Sequence, residues 1–298
     1  MDSTSLNDGR RGGREITLAE GSFKNESMKT YLRPPEGWAA LEIGELWRYH
    51  EVIYLLTWRD IKVRYKQAAL GLTWVILQPL LVMVILSVVF GHLARLPSDG
   101  VPYPLFTLSG ILPWQLFHTG VQRASISLIG NSNLLTRVYF PRLSIPLATV
   151  LSSILDFFFA FLVFLGLMVF FGNYPTWKFL GVPLLIILTS LTALGVGLWL
   201  SALNVQYRDV QHAVPFILQA WMFASPVAYS AQMVPQGVWQ VFYGLNPMVG
   251  VIQGFRWALL GGPPPGAALG LSVSAMLILL ISGMFYFKRM ERSFADII

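Results

Sequence analysis

The stretch 144–171 is an apolar run that contains one charged side chain, Asp156. A transmembrane helix needs about 20 mostly apolar residues, so this run is long enough to cross a bilayer. Similar runs recur along the chain. They predict an all-α integral membrane protein with six transmembrane helices, at 70–93, 103–129, 144–171, 179–203, 214–234 and 267–287.

The composition also indicates that lipid is the main solvent of this chain. Charged residues make up 12% of it, against about 25% in soluble domains. It has no cysteine, which excludes disulfides and thiolate metal sites. Residues 1–37 differ, because they are polar and lack the apolar core of a signal peptide. We predict a mobile cytoplasmic tail at 1–37 and one membrane domain at 38–298.

The distribution of Lys and Arg predicts the orientation. Six spans place both termini on one side of the membrane, and basic residues concentrate in cytoplasmic loops. If the N-terminus is cytoplasmic, most of the Lys and Arg residues fall in cytoplasmic segments. We therefore predict that both termini are cytoplasmic. The net charge of +6 is therefore interpreted as membrane anchoring and not as nucleic-acid binding. The inner group is Arg48, Arg59, Lys62, Arg64, Lys66, Arg123, Arg137, Arg142, Arg208, Lys288, Arg289 and Arg292, and the outer group is Arg95, Lys178 and Arg256.

Two further segments are predicted to lie in the membrane without crossing it. Residues 46–66 predict an amphipathic helix in the headgroup plane, since Arg59, Lys62 and Lys66 share one face. Residues 235–266 are apolar only in short pieces broken by Gly and Pro, which predicts re-entrant helices on the outer side. The expected apolar face of the amphipathic helix consists of Leu55, Trp58, Ile61 and Tyr65.

The sequence offers little catalytic chemistry. It contains neither a G-x-x-x-x-G-K-[ST] phosphate loop nor an H-E-x-x-H zinc motif. Asp156 stands near the centre of the third predicted span, where a carboxylate costs about 2.5–3.5 kcal/mol. It is either a proton or ion relay or a hydrogen-bonding group between helices, with Ser152 and Ser153 one turn earlier as candidate partners. A relay normally assembles several ionisable groups, and no other span offers a central acid.

Polar and aromatic side chains form a stripe on the second predicted span. Gln115, His118, Gln122 and Ser125 are spaced by three, four and three residues, which places them on one side of a helix. Amides bond sugar hydroxyls and flat rings cover apolar sugar faces, so one interpretation is a sugar path. The other is ordinary hydrogen bonding between helices together with an interfacial aromatic belt. The remaining path candidates are Trp114 and Phe117 beside the stripe, and Gln219, Trp221, Phe223 and Tyr229 in or near the fifth span.

Several motifs in order resemble one known family. They are WRDIKVRYKQAALGLTWVILQPLL, PLFTLSGILPWQLF, NSNLLTRVYFPRLSIPLA and FKRMERSFADII. Together they resemble the membrane subunit of bacterial ABC exporters for polysaccharides, a group that includes the O-antigen, capsule and teichoic acid permeases. The resemblance runs from about Trp38 to the C-terminus. It implies a homodimer in the inner membrane, paired with two copies of a separate ATPase that binds ATP and Mg²⁺, which agrees with the missing phosphate loop.

The same resemblance implies a coupling helix at 131–142 that docks in a groove of the ATPase. Arg137 and Arg142 would meet acidic groups of the partner, and Tyr139 and Phe140 an apolar groove. The alternative is a basic loop that touches lipid headgroups. The full predicted coupling set is Asn131, Leu134, Leu135, Arg137, Tyr139, Phe140 and Arg142.

The predicted function is ATP-driven export of a lipid-linked polysaccharide, without a cofactor in this chain. Arg48, Arg59 and Lys62 are candidates to attract the lipid pyrophosphate at the cytoplasmic entrance. Three alternatives stay open: an ABC exporter of teichoic acid, a small drug or a lipid, an ion-coupled secondary transporter based on Asp156, and an integral membrane enzyme. The enzyme would need clustered carboxylates or histidines, which the sequence does not show.

Overall fold

A computed structural model describes residues 43–66, 71–138, 140–235 and 237–297, and the secondary structure of these residues is entirely helical. The predicted tail at 1–37 lies outside them. The α-helices are α1 (Ile43–Arg48), α2 (His50–Lys66), α3 (Gly71–Leu86), α4 (Tyr103–Gly130), α5 (Ser132–Arg137), α6 (Ser144–Phe170), α7 (Val182–Gln206), α8 (Val210–Phe223), α9 (Val238–Gly244), α10 (Pro247–Leu260) and α11 (Gly266–Ile297). A π-helical segment (Ser87–Leu93) continues α3, and two short 3₁₀ helices (Trp177–Gly181 and Ala231–Met233) precede α7 and α9.

Four helical stretches of the described residues are long and apolar enough to cross a membrane. They are Thr73–Leu93, Ser144–Phe170, Trp177–Gln206 and Gly266–Glu291. They match the first, third, fourth and sixth predicted spans closely. Four of the six predicted spans are therefore supported by both helix length and composition.

The second predicted span is a helix of the expected length, but a less apolar one. α4 has 28 residues, or about 42 Å at 1.5 Å per residue. It lies at the centre of the bundle, where α3, α6, α7, α8 and α10 pack against it. Its side chains meet protein on most sides, so it does not need the apolar surface of a lipid-facing helix.

The fifth predicted span, 214–234, is not one helix. α8 ends at Phe223 after 14 residues, about 21 Å. Turns and bends follow from Ala224 to Tyr229. The hydrophobic pattern continued past the end of this helix, because the turn itself is built from apolar and small residues.

The segment predicted to be re-entrant forms two helices too short to cross a bilayer. α9 has 7 residues and α10 has 14. Asn246 caps the N-terminus of α10, since its side chain accepts a hydrogen bond from the backbone N–H of Met248. Gly261 ends α10 in the left-handed region, at φ 73°. α10 packs on α4, α7 and α11.

α2 contacts the bundle mainly through residues outside the predicted apolar face, although Tyr65 of that face also meets α6. Leu56 is buried, and Val52 and Ile53 pack against the core, whereas Leu55 and Trp58 are 63% and 46% exposed. Both sides carry apolar residues, so the pattern alone did not show which one meets protein. α2 lies along the first half of α6, where the hydroxyl of Thr57 donates to the carbonyl of Ala148 (3.4 Å).

Candidate substrate path and coupling surface

Asp156 is the centre of an ionic cluster that joins three helices. It lies about 18 Å along α6 from Ser144. Its Oδ1 accepts hydrogen bonds from Arg64 Nη1 (2.8 Å) and from Tyr65 Oη (2.5 Å), both on α2. Its Oδ2 accepts from Arg123 Nη1 on α4 (2.6 Å). We call Arg64, Tyr65, Arg123 and Asp156 the arginine cluster.

The arginine cluster supports a structural role for Asp156 over a relay. Two cations and a phenol donate to a carboxylate that is 8% exposed, so both of its oxygens are engaged by side chains of this chain. Ser152 and Ser153 do not bond to Asp156 as predicted. Instead, their hydroxyl oxygens accept from Arg64 (3.1 Å) and Arg123 (3.4 Å). The sequence analysis missed both arginines, because it assigned them to the cytoplasmic surface by position along the chain.

Tyr65 is held in its neutral form by the same contacts. Burial, followed by the hydrogen bond to Asp156, raises the pKa of Tyr65 to about 12. Its hydroxyl is therefore protonated over the whole physiological range and serves as a permanent donor to the carboxylate.

A cavity of about 250 Å³ adjoins the arginine cluster. We call it the arginine cavity. Its polar lining comes from Arg64, Arg123 and Asp156, together with Gln78 of α3 and Gln115 of α4. Trp74 and Gln78 are exposed on α3. The α3 side of the cavity is therefore open at the surface of the helix bundle.

The structure separates the polar stripe predicted on α4. Gln115 faces the arginine cavity. Ser125 is buried, and its backbone carbonyl accepts from the side chain of Asn204 on α7 (3.0 Å), which is a contact between helices. The Nδ1 of His118 is buried and makes no hydrogen bond to a described residue. Gln122 is half-buried.

The predicted aromatic candidates are divided between core and surface. Trp114 and Phe117 are buried, and Phe117 packs edge-on against Trp221 of α8 at a ring distance of 5.1 Å. The indole N–H of Trp221 donates to Asn246 (3.0 Å). These three rings therefore build the core around α4. Gln219 and Phe223 are exposed on α8.

A larger cavity of about 460 Å³ lies among α9, α10 and α11. We call it the outer cavity, after the outer side on which the sequence predicts this segment. Asp99, Gln240, Gln253, Tyr243 and Arg256 supply its main polar lining. Tyr243 donates to the hydroxyl of the neighbouring Tyr229 (3.0 Å). Amides and phenols around such a volume suit sugar hydroxyls. The sequence analysis singled out Tyr229 but missed the lining residues, since their order in the chain gives no periodic signal.

Arg256 is a buried structural cation, although the sequence analysis counted it among the basic residues of the outer side. It is 6% exposed. Its two terminal nitrogens donate to the carbonyls of Tyr229 (3.1 Å) and Val227 (2.9 Å). The guanidinium stands 3.7 Å from the ring centroid of Phe106. Burial, offset in part by the charge of Asp99, lowers the pKa of Arg256 to about 10, so it stays charged at neutral pH.

The predicted coupling segment contains a short helix, α5, that is tied to α2. The side chain of Asn131, just before α5, accepts from Arg59 Nη2 (2.8 Å) and donates to the carbonyl of Ser127 (2.8 Å). Arg59 also pairs with Asp60. Leu134 and Leu135 pack against the core and Arg137 is exposed.

Two further members of the predicted coupling set also contact this chain. Phe140 is buried in the core, so its ring is not presented to a partner's groove as we expected. An apolar ring suits a partner's groove and the core of this chain equally well, so the residue type alone did not distinguish them. Arg142 Nη1 donates to the carbonyl of Glu291 near the end of α11 (2.6 Å). Tyr139 lies outside the described residues.

The three predicted entrance cations have different surroundings. Arg48 is exposed. Lys62 is exposed on α2 and stands 5.3 Å from the ring centroid of Trp58. Arg59 is half-buried in the contact with Asp60 and Asn131. Arg48 and Lys62 thus keep the solvent access that an entrance requires, while Arg59 has a structural partner.

A family model described as ABC-2 type transporter matches residues 51–260. This match covers most of the chain, from α2 through α10. The chain belongs to the ABC-2 type transporter family. It is accordingly a multi-pass membrane protein and a transport permease, not an enzyme, and family membership implies association with an ABC ATPase.

This chain is similar to three named relatives over most of their lengths. The O-antigen export system permease protein RfbA of Myxococcus xanthus is 29% identical over 254 residues, which are 84% of this chain and 96% of that protein. The polysialic acid transport protein KpsM of Escherichia coli is 23% identical over 237 residues, 79% of this chain and 92% of that protein. The inner membrane transport permease YadH of Escherichia coli K12 is 24% identical over 201 residues, 63% and 77%.

Proposed function

We propose that this chain is the membrane subunit of an ATP-driven exporter that moves a lipid-linked polysaccharide from the cytoplasmic to the outer face of the inner membrane. One observation carries the proposal. Relatives whose names state O-antigen export and polysialic acid transport are covered over 96% and 92% of their lengths. Both cargoes are polysaccharides.

A sugar chain cannot cross about 30 Å of hydrocarbon unaided, because its hydroxyls would lose their hydrogen bonds to water. Polar cavities within the helix bundle are therefore required. The arginine cavity and the outer cavity offer amides, phenols and charges in this otherwise apolar chain.

The assembly we propose contains two copies of this chain and two copies of an ATPase that binds ATP and Mg²⁺. In each copy α4 and the segment 214–234, which is the end of α8 together with the turns that follow it, complete the six spans. α9 and α10 form the re-entrant outer segment, and both termini are cytoplasmic. The exposed Arg137 on α5 contacts the ATPase. The bond between Arg59 and Asn131 and the arginine cluster link α5 and α2 to α4 and α6. Movement imposed by the ATPase on α5 is thereby passed to the spans.

The proposal is tested by reconstituting the chain with its ATPase in vesicles that contain a lipid-linked glycan. Glycan should appear on the opposite face only when ATP is supplied. Transport in the absence of any ATPase would indicate a secondary transporter and contradict the proposal. Export of a small amphiphile, without export of glycan, would reassign the cargo.

A further inference from the structure

The arginine cavity carries an unbalanced positive charge. Among the described residues that line it, Arg64 and Arg123 are cations and Asp156 is the only acid. The hydrogen bonds of Arg123 to described residues all leave from Nη1. Its Nε and Nη2 therefore remain for a ligand, and its side chain is 30% exposed.

This charge lies deep in the bundle. Asp156 is about 18 Å along a helix of about 40 Å, so the cluster is near the middle of α6. A net positive charge on partly buried side chains is costly, and a bound anion lowers the cost. Guanidinium groups recognise phosphate oxygens by parallel, charge-assisted hydrogen bonds. The amides of Gln78 and Gln115 add neutral donors on the same cavity wall.

The cavity also has a route to lipid. Trp74, which lines it, is 57% exposed on α3, one of the apolar helices long enough to span. Trp74 is the second residue of that stretch, Thr73–Leu93, so the cavity opens to lipid near one end of α3, where a lipid diphosphate can enter from the membrane surface. We propose that the arginine cavity binds a lipid phosphate ester, the diphosphate of the lipid-linked glycan, during its passage. This inference rests on the proposed export function.

The test measures binding of a fluorescent polyprenyl diphosphate to the purified full-length chain in nanodiscs of neutral lipid. Arg123→Gln should weaken binding about tenfold or more, the value of a lost charge-assisted hydrogen bond. Asp156→Asn removes the competing carboxylate and should tighten it. Arg208→Gln, in an exposed loop between α7 and α8, is the charge-matched control and should change nothing. Size-exclusion profiles and thermal unfolding establish that each variant is folded.

Competition with inorganic pyrophosphate and with phosphatidylglycerol distinguishes the sources of phosphate. Weak competition by both supports a lipid-linked diphosphate. Competition by phosphatidylglycerol at equal affinity would overturn the cargo assignment, because the site would then hold bulk lipid. Equal binding by the wild type, Arg123→Gln and Arg208→Gln would overturn the inference altogether. If the three proteins bind equally but glycan export in vesicles is normal, the proposed export function stands without the diphosphate site.

Discussion

Arg64 is bound to Asp156 through two hydrogen bonds of 2.8 and 2.9 Å, although the two residues are 92 positions apart along the chain. This contact fixes α2 against the middle of α6. The amphipathic helix α2 is therefore held by the bundle and does not move independently of it. Any displacement of α2 acts on α6 directly, and on α4 through Arg123.

Removing the carboxylate should destabilise the bundle. Asp156→Asn leaves two arginines without their counter-ion, and breaking a buried ion pair by removing one partner costs about 3–5 kcal/mol. The double variant Asp156→Asn with Arg64→Gln should lose less than the sum of the single losses, with a coupling of about 0.5–3 kcal/mol. Unfolding in nanodiscs provides the measurement. Additive losses would show that the two residues do not interact.

The apolar runs predicted most of the span positions, since helix length and hydropathy are properties of local sequence. Asp156 was recognised for the same reason. Its partners were not, because Arg64 and Arg123 meet it only after α2 and α4 pack on α6. The outer cavity was missed on similar grounds, as Asp99 and Arg256 are brought together by tertiary structure alone. The end of α8 was misjudged because apolar turn residues extend the hydrophobic pattern.

Arg137 and Phe140 should respond to substitution in different ways. Arg137 is exposed on α5, so Arg137→Glu should leave the fold intact and reduce glycan-stimulated ATP hydrolysis several-fold in the complete transporter, with Arg137→Gln intermediate. Phe140 is buried, so Phe140→Ala should instead lower the free energy of unfolding by about 3–5 kcal/mol. ATPase assays and thermal unfolding separate the two effects. Normal coupling in Arg137→Glu would contradict docking at α5.

Arg256 should not tolerate lysine. Its planar guanidinium serves two carbonyls and stacks over Phe106 at the same time, whereas an ammonium group cannot reproduce that fork. We expect Arg256→Lys to lose about 1–3 kcal/mol, the cost of leaving buried acceptors unpaired. Lys178→Arg, at a half-buried position where Nζ stands 5.5 Å from the ring centroid of Trp257, is the reciprocal control and should be neutral, since a guanidinium keeps that contact. An unchanged unfolding temperature for Arg256→Lys would show that the charge alone matters there.

The contact between α7 and α11 depends on the absence of a side chain at Gly283. A Cβ atom placed there would lie 2.5 Å from the carbonyl oxygen of Gly195, a distance that backbone cannot relieve without moving a helix. Gly283→Ala should therefore separate α7 from α11 and cost about 1–3 kcal/mol, as other overpacked sites do. Gly270→Ala lies on the same helix with nothing within 4 Å of its added methyl group, so it should keep or slightly raise the unfolding temperature. Both variants receive the same change in helix propensity, and the difference between their unfolding temperatures isolates the packing term. Equal temperatures would mean that the two helices do not approach as closely as the structure shows.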